Sequence, residues 1–161
     1  MILKAKILRE GAKEPLIATK GAAGADLYAV SRTIDYKAGL VKYKTGLAVE
    51  IPKGYVGLLF SRSSICKKGL IQSNCVGVID SDYRGDVSVV YRMTGWKGIT
   101  RYMANKLFWF LCKDSNDEFY EVGERVGQLV IVPIAQVSKI KLVDKLSVTE
   151  RGTGGYGSTG K

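Results

Sequence analysis

From Thr33 to Phe60 the sequence consists of short apolar stretches cut apart by turn chemistry, and this spacing limits the chain to a β architecture. Thr33–Tyr36, Leu40–Tyr43, Leu47–Ile51 and Tyr55–Phe60 are separated by Ala38-Gly39, Thr45-Gly46 and Pro52-Lys53-Gly54. Stretches this short suit strands, and the glycines and proline between them suit turns. No helical period of useful length occurs before residue 100, so the expectation is an all-β sandwich or barrel.

The flanking sequence extends this pattern. Ile2–Leu8 predicts a strand whose edge is paired early, and residues 11–25 read as loop. Residues 70–79 read as a hairpin arm with Asn74 near its turn, and Val87–Met93 resumes strand character. Leu129–Ile134 is apolar enough for a buried strand, and Val137–Leu142 suggests one more. Leu107–Cys112 fits a strand or a short helix, because an apolar run of that length does not distinguish the two. With 161 residues the chain suits one domain, assigned to residues 1–150 with an inserted segment at about 93–118. Residues 151–161 form a glycine-rich C-terminal arm.

Composition removes several chemistries. The chain has no histidine, which excludes Ser-His and Cys-His nucleophilic sites and any histidine-ligated metal. Proton transfer must then come from carboxylates, lysines or tyrosines, and a metal would be a hard, oxygen-ligated ion. Cys66, Cys75 and Cys112 are odd in number and lack Cys-x-x-Cys spacing, which fits reduced thiols in a cytoplasm. No apolar run spans a bilayer and no leader opens the sequence, so the expectation is a soluble cytoplasmic protein without a membrane partner. A formal net charge of +10 favours anionic ligands, although the scattered cations also fit an ordinary solvated surface.

Three stretches carry chemistry. Gly77-Val78-Ile79-Asp80-Ser81-Asp82-Tyr83-Arg84-Gly85-Asp86 places carboxylates in a turn directly after an apolar run. Asp80 there suits a general base held by a strand end, and the stretch also suits a plain hairpin turn. Ser61-Arg62-Ser63-Ser64-Ile65-Cys66-Lys67-Lys68-Gly69 combines hydroxyls with cations in the manner of an anion cradle, or simply caps a turn. The tail from Arg151 to Lys161 has the composition of a flexible segment, yet Tyr156 between glycines, with Arg151 and the hydroxyls around it, suits closure over a nucleotide.

Taken together, these stretches resemble the five ordered motifs of the trimeric deoxyuridine triphosphate nucleotidohydrolases, the dUTPases. Ala23–Ala29 resembles the first, Arg62–Gly69 the second, Gly77–Asp86 the third, Glu124–Ile134 the fourth and Arg151–Gly160 the fifth. The resemblance implies an all-β distorted jelly roll, or β-clip barrel, assembled as a homotrimer whose active sites draw on more than one subunit. It also implies hydrolysis of dUTP to dUMP and pyrophosphate with Mg2+. Asp80 would deprotonate the water that attacks the α-phosphate, and Asp26 would hold magnesium through bound waters. Arg62, Ser63, Ser64 and Gln128 would bind phosphates. Asn74, with backbone at Gly77 and Ile79, would read uracil, and Tyr83 would exclude a ribose 2′-hydroxyl. Tyr156, replacing the commoner phenylalanine, would cap the base between Gly155 and Gly157, while Arg151, Ser158 and Thr159 grip the γ-phosphate.

Two departures define the alternatives. The double serine after Arg62 is a feature of the related dCTP deaminases, but those enzymes need a glutamate where this chain has Val90, and no acid occurs from Val87 to Gly95. The segment between Tyr91 and Glu121 is longer than in compact dUTPases and carries aromatics among lysines. It resembles extra segments of some bacteriophage dUTPases that contact protein partners, and it equally fits an elaborated hairpin. A regulator of this fold that binds protein or single-stranded DNA through residues 93–118 is the non-catalytic alternative. Sequence-specific nucleic-acid binding is not expected.

Overall fold

The computed structural model describes residues 1–94 and 119–155. Its strands are β1 (Lys4–Ile7), β2 (Ala25–Tyr28), β3 (Ser31–Asp35), β4 (Leu40–Lys44), β5 (Leu47–Glu50), β6 (Tyr55–Phe60), β7 (Leu70–Gln72), β8 (Gly77–Ile79), β9 (Ser88–Met93) and β10 (Arg125–Pro133). A single 3₁₀ turn at Ser63–Lys67 is the helical content among the described residues. The expected strands between Thr33 and Phe60 are present. Gly46 and Gly54 between them take φ of 68° and 82°, a left-handed backbone that glycine adopts without steric cost.

Two antiparallel four-stranded sheets, ordered β2-β10-β6-β8 and β3-β4-β9-β7, face one another, and β1 pairs with β5 as a separate ribbon. Period-two alternation builds the core. Val41 and Tyr43 on β4, and Val89 and Tyr91 on β9, point inward, while Lys42 between the first pair is exposed. Leu27, Leu59, Val126 and Leu129 meet them from the other sheet. Tyr43, Tyr91 and Tyr120 cluster in this core with ring centroids 5.9 to 6.0 Å apart. Each hydroxyl has a partner, as buried phenols require. Tyr91 donates to the Val126 carbonyl at 2.6 Å, Tyr43 accepts the Tyr120 backbone N–H at 3.0 Å, and Tyr120 meets Ser64 Oγ at 3.2 Å. Burial pushes the Tyr43 phenol up to about 12 and raises Tyr91 and Tyr120 as well, so all three are neutral.

Three expectations need correction. Residues 70–79 are not one hairpin within a sheet, because β7 pairs with β9 and β8 with β6. The chain crosses between sheets at Ser73–Val76, where Cys75 takes a φ of 57°. Val137–Leu142 forms no strand and is exposed, with Ile140 and Leu142 at 81% and 93% accessibility. An apolar-rich stretch makes a strand only beside a partner edge, and these residues have none among the described residues. The buried strand expected over Leu129–Ile134 begins earlier and ends at Pro133, with Leu129 its last fully buried residue.

Candidate functional site

The third-motif turn grows out of β8, whose register against β6 (Gly57↔Ile79, Leu59↔Gly77) fixes the backbone up to Asp80. The turn is held by its own side chains. Arg84 donates to the carbonyls of Ser81 and Tyr83 at 2.8 and 2.9 Å, and Tyr83 Oη donates to the Asp86 carbonyl at 3.2 Å. Asp86 accepts Gly46 N–H at 2.9 Å and Arg9 Nε–H at 3.3 Å, so its carboxylate is occupied with structure. Asp80 is exposed, and no described residue pairs with its carboxylate. That leaves it able to hold a water or a proton.

Asn74, Gly77, Ile79, Asp80 and Tyr83 line one cavity of about 200 Å³, with Leu59 behind them. The sequence had assigned all five to the site. Gly85 is what lets Tyr83 lie flat on the turn, since a Cβ there would collide with the phenol ring.

A second cluster lies on the first, second and fourth motifs. Asp26 on β2 is buried and takes Arg62 Nε at 3.0 Å on one oxygen and Arg125 Nη1 at 3.0 Å on the other. Strand register explains the meeting. Asp26, Gln128 and Phe60 stand opposite one another across three strands, and Arg62 follows Phe60 by two residues, on the same face. A bulge in β10 between Arg125 and Gly127 restores Arg125 to the Asp26 side, which unbroken alternation would have given to Val126. Ser63 is exposed at the start of the 3₁₀ turn, and Ser64 meets Tyr120. Lys68 of the expected cradle donates to the Phe119 carbonyl at 3.0 Å and lies over the Tyr120 ring.

Sequence reasoning missed Arg125 and Gln72. Arg125 sits inside a quoted motif, and the signal for it is a buried carboxylate needing more than one cation. Gln72 donates to the Leu59 carbonyl at 2.9 Å and to Asn74 Oδ1 at 3.3 Å; its signal is a polar residue at the inward period of an apolar strand.

No group of three or more acidic or thiol side chains gathers to cage a metal among the described residues. The donor set here fits a hard ion held by phosphate and water, because Asp26, with two arginines bound, keeps lone pairs for a metal-bound water. Arg151 folds onto its own turn, donating to the Gly154 carbonyl at 3.0 Å, and Gly155 is exposed beside it. Neither is brought to the cavity. Tyr156, Gly157, Ser158 and Thr159 lie outside the described residues, as does the inserted segment from residue 95 to 118.

The two clusters occupy opposite edges of the β2-β10-β6-β8 sheet. Three strand spacings of ~4.8 Å separate β2 from β8, and register offsets Asp80 from Asp26 by four residues along β10. Together these place the backbones of the two residues roughly 20 Å apart.

Comparison with known proteins identifies the family and the fold. A family model described as dUTPase matches residues 10–100 and 99–160. The deoxyuridine 5′-triphosphate nucleotidohydrolase of Anaplasma marginale is 37% identical, with 99% of each chain covered. The solved dUTPase of Staphylococcus bacteriophage 80alpha with dUPNHPP superposes with a TM-score of 0.75 at 29% identity, again over 99% of each chain. That protein is described as controlling transfer of virulence genes by a proto-oncogenic G protein-like mechanism. A dUTPase mutant from phage phi11 of S. aureus, described as coordinating a structural Mg(II) ion, gives a TM-score of 0.66 at 27% identity over 90% of this chain and 98% of its own. With its fold, its five motifs and these relatives in agreement, the chain belongs to the dUTPase family.

Proposed function

We propose that this protein hydrolyses dUTP to dUMP and pyrophosphate, limiting uracil incorporation into DNA and supplying dUMP for dTMP synthesis in the cytoplasm of its cell or, if phage-encoded, of its host. The observation that carries this reading is Asp80, an unpaired carboxylate at the mouth of a cavity that Asn74 and Tyr83 also line. Asp80 accepts a proton from water as the water oxygen bonds to the α-phosphorus. The bond to the α–β bridging oxygen breaks in line, and pyrophosphate leaves. Asn74 and the Gly77–Ile79 backbone hold uracil, and Tyr83 stands where a ribose 2′-hydroxyl would clash. Arg62, Ser63, Ser64 and Gln128 take phosphate oxygens from the second cluster, and the arm, through Arg151 and residues 155–159, closes over the nucleotide. Asp26 would hold a magnesium ion through bound water, and that ion on the triphosphate would offset phosphate charge and help orient it for attack.

The separation of roughly 20 Å between Asp26 and Asp80 favours a site shared between subunits, since a triphosphate is too short to touch both within one chain. A closed cyclic trimer brings one copy's third motif to another's first, second and fourth. The deaminase alternative is weakened by Val90, which stands on β9 opposite Lys42 with no acid beside it on the strand.

The test is pyrophosphate release from dUTP, dCTP, dTTP and UTP with magnesium, for the wild type and Asp80→Asn. Turnover confined to dUTP, reduced about 10³-fold in the variant, is the expected result. Ammonia released from dCTP would mean a deaminase instead. A second role is favoured by the full-length likeness to the 80alpha protein: residues 93–118 bind a protein partner. Deleting residues 95–118 should then abolish partner capture while dUTP turnover survives.

A further inference from the structure

Gln72 is a polar side chain at a core position. It ends β7 on the inward side shared with Leu70, opposite Tyr91, and is 5% exposed. Its amide crosses from one sheet to the other. Nε2 donates to the Leu59 carbonyl on β6 at 2.9 Å and to Asn74 Oδ1 at 3.3 Å, while Oε1 accepts from no group among the described residues. A leucine or methionine would fit the strand's period with no acceptor left over. A buried amide with an idle oxygen is retained against its own cost, which points to a task for the other end.

That task follows from the direction of the bonds. A backbone carbonyl only accepts, so Leu59 dictates that the NH₂ end of Gln72 faces it. The second N–H of the same group then dictates that Asn74 turns its oxygen inward. What Asn74 presents elsewhere is Nδ2, which lies 3.6 Å from where a Cβ on Gly77 would stand, beside the cavity both residues line. We propose that Gln72 is the positioning residue for base selection. It locks Asn74 with its donors outward, so the cavity accepts a pyrimidine edge bearing a carbonyl and rejects one bearing an amino group. A flipped Asn74 would present an acceptor and favour the amino edge; an unrestrained one would discriminate poorly. This rests on the reading of Asn74 as the residue that meets the base.

The test compares kcat/KM for dUTP with that for dCTP, or its inhibition constant where turnover is too slow, in the assembled enzyme. The variants are Gln72→Leu, Gln72→Met, Asn74→Ala and the Gln72→Leu/Asn74→Ala pair, each with a thermal melt. Either Gln72 variant should lower the preference for dUTP by at least about tenfold, through a raised KM for dUTP and with dCTP unchanged or improved. In the Asn74→Ala background the same change should move the preference by less than about twofold. Equal losses on both nucleotides, or an effect that persists without Asn74, would make Gln72 merely structural and overturn the proposal. A preference lost in Asn74→Ala but kept in both Gln72 variants overturns the coupling alone. An unchanged preference in Asn74→Ala removes the base-reading role of Asn74, and that of Gln72 with it.

Discussion

Asp26 accepts the Arg62 Nε–H at 3.0 Å, and this pair ties the turn of the second motif to the strand of the first. The contact does two things at once. It neutralises a buried carboxylate, and it fixes the direction of a guanidinium whose remaining N–H groups are available to phosphate. Arg125 on the other oxygen makes the cluster net positive, which suits a polyphosphate better than a bare cation.

Asp26→Asn should therefore destabilise the protein as well as slow it. Both arginines lose their anion, and because they keep some solvent access the cost is about 2 kcal/mol, below that of a fully buried pair. Urea denaturation at fixed protein concentration checks this through a lowered midpoint with an unchanged slope. The same variant should need more magnesium for half-maximal dUTP hydrolysis; an unaltered magnesium requirement would detach Asp26 from the metal.

Gly85→Ala should change sugar selection while leaving the fold intact. The new Cβ occupies the space of the Tyr83 ring, and Tyr83 is exposed and free to swing away from the turn. Discrimination between dUTP and UTP should fall by about tenfold or more, with little change in melting temperature because the turn is at the surface. Tyr83→Phe removes only the bond to the Asp86 carbonyl and should keep the discrimination.

The tyrosine cluster sets an alkaline limit on stability. Burial raises the folded-state values of Tyr43, Tyr91 and Tyr120 above the ordinary value of 10, with Tyr43 near 12. Their contribution is complete below pH 10. From there the unfolded chain gives up protons that the folded one retains, so stability falls as pH rises, by up to about 1.4 kcal/mol per pH unit for Tyr43. For Tyr43 the loss runs from pH 10 to about 12. Tyr43→Phe should make the decline shallower, and should cost about 1–3 kcal/mol at neutral pH by leaving the Tyr120 N–H unpaired. Chemical denaturation at a series of pH values reads both effects.

Local chemistry made the strands and the cavity legible in the sequence. Short apolar stretches such as Leu40–Tyr43 and Val87–Met93 marked the strands, and turn residues set the boundaries around them. Asp80 was legible because a strand end and a turn meet there. The pairing of Asp26 with Arg125 was not, since 99 residues separate them and the meeting depends on a bulge that shifts side-chain parity within β10. The same limit hid Gln72. Its significance lies in β7 and β6 belonging to different sheets, and strand patterns do not say which sheet a strand joins. Val137–Leu142 shows the converse case, with strand-like sequence and no partner edge among the described residues.

That unpartnered stretch leads to the last prediction. Ile140, Leu142, Leu146 and Val148 are 81% to 99% exposed, apolar side chains that a lone subunit would present to water. In the proposed trimer, assembly would cover them and would also unite the two clusters that one chain holds roughly 20 Å apart. Asp80→Asn and Arg62→Ala chains should each be inactive alone. Unfolded, mixed in equal amounts and refolded together, they should regain about a quarter of wild-type activity. Each shared site then needs an intact Asp80 from one chain and an intact Arg62 from its neighbour, each present half the time. A site complete within one chain would regain nothing, because every chain carries one defect. Leu142→Asp with Val148→Asp should prevent the recovery and lower the sedimenting mass from trimer toward monomer. Loss of activity at an unchanged mass would place those residues in the closing arm rather than in the interface.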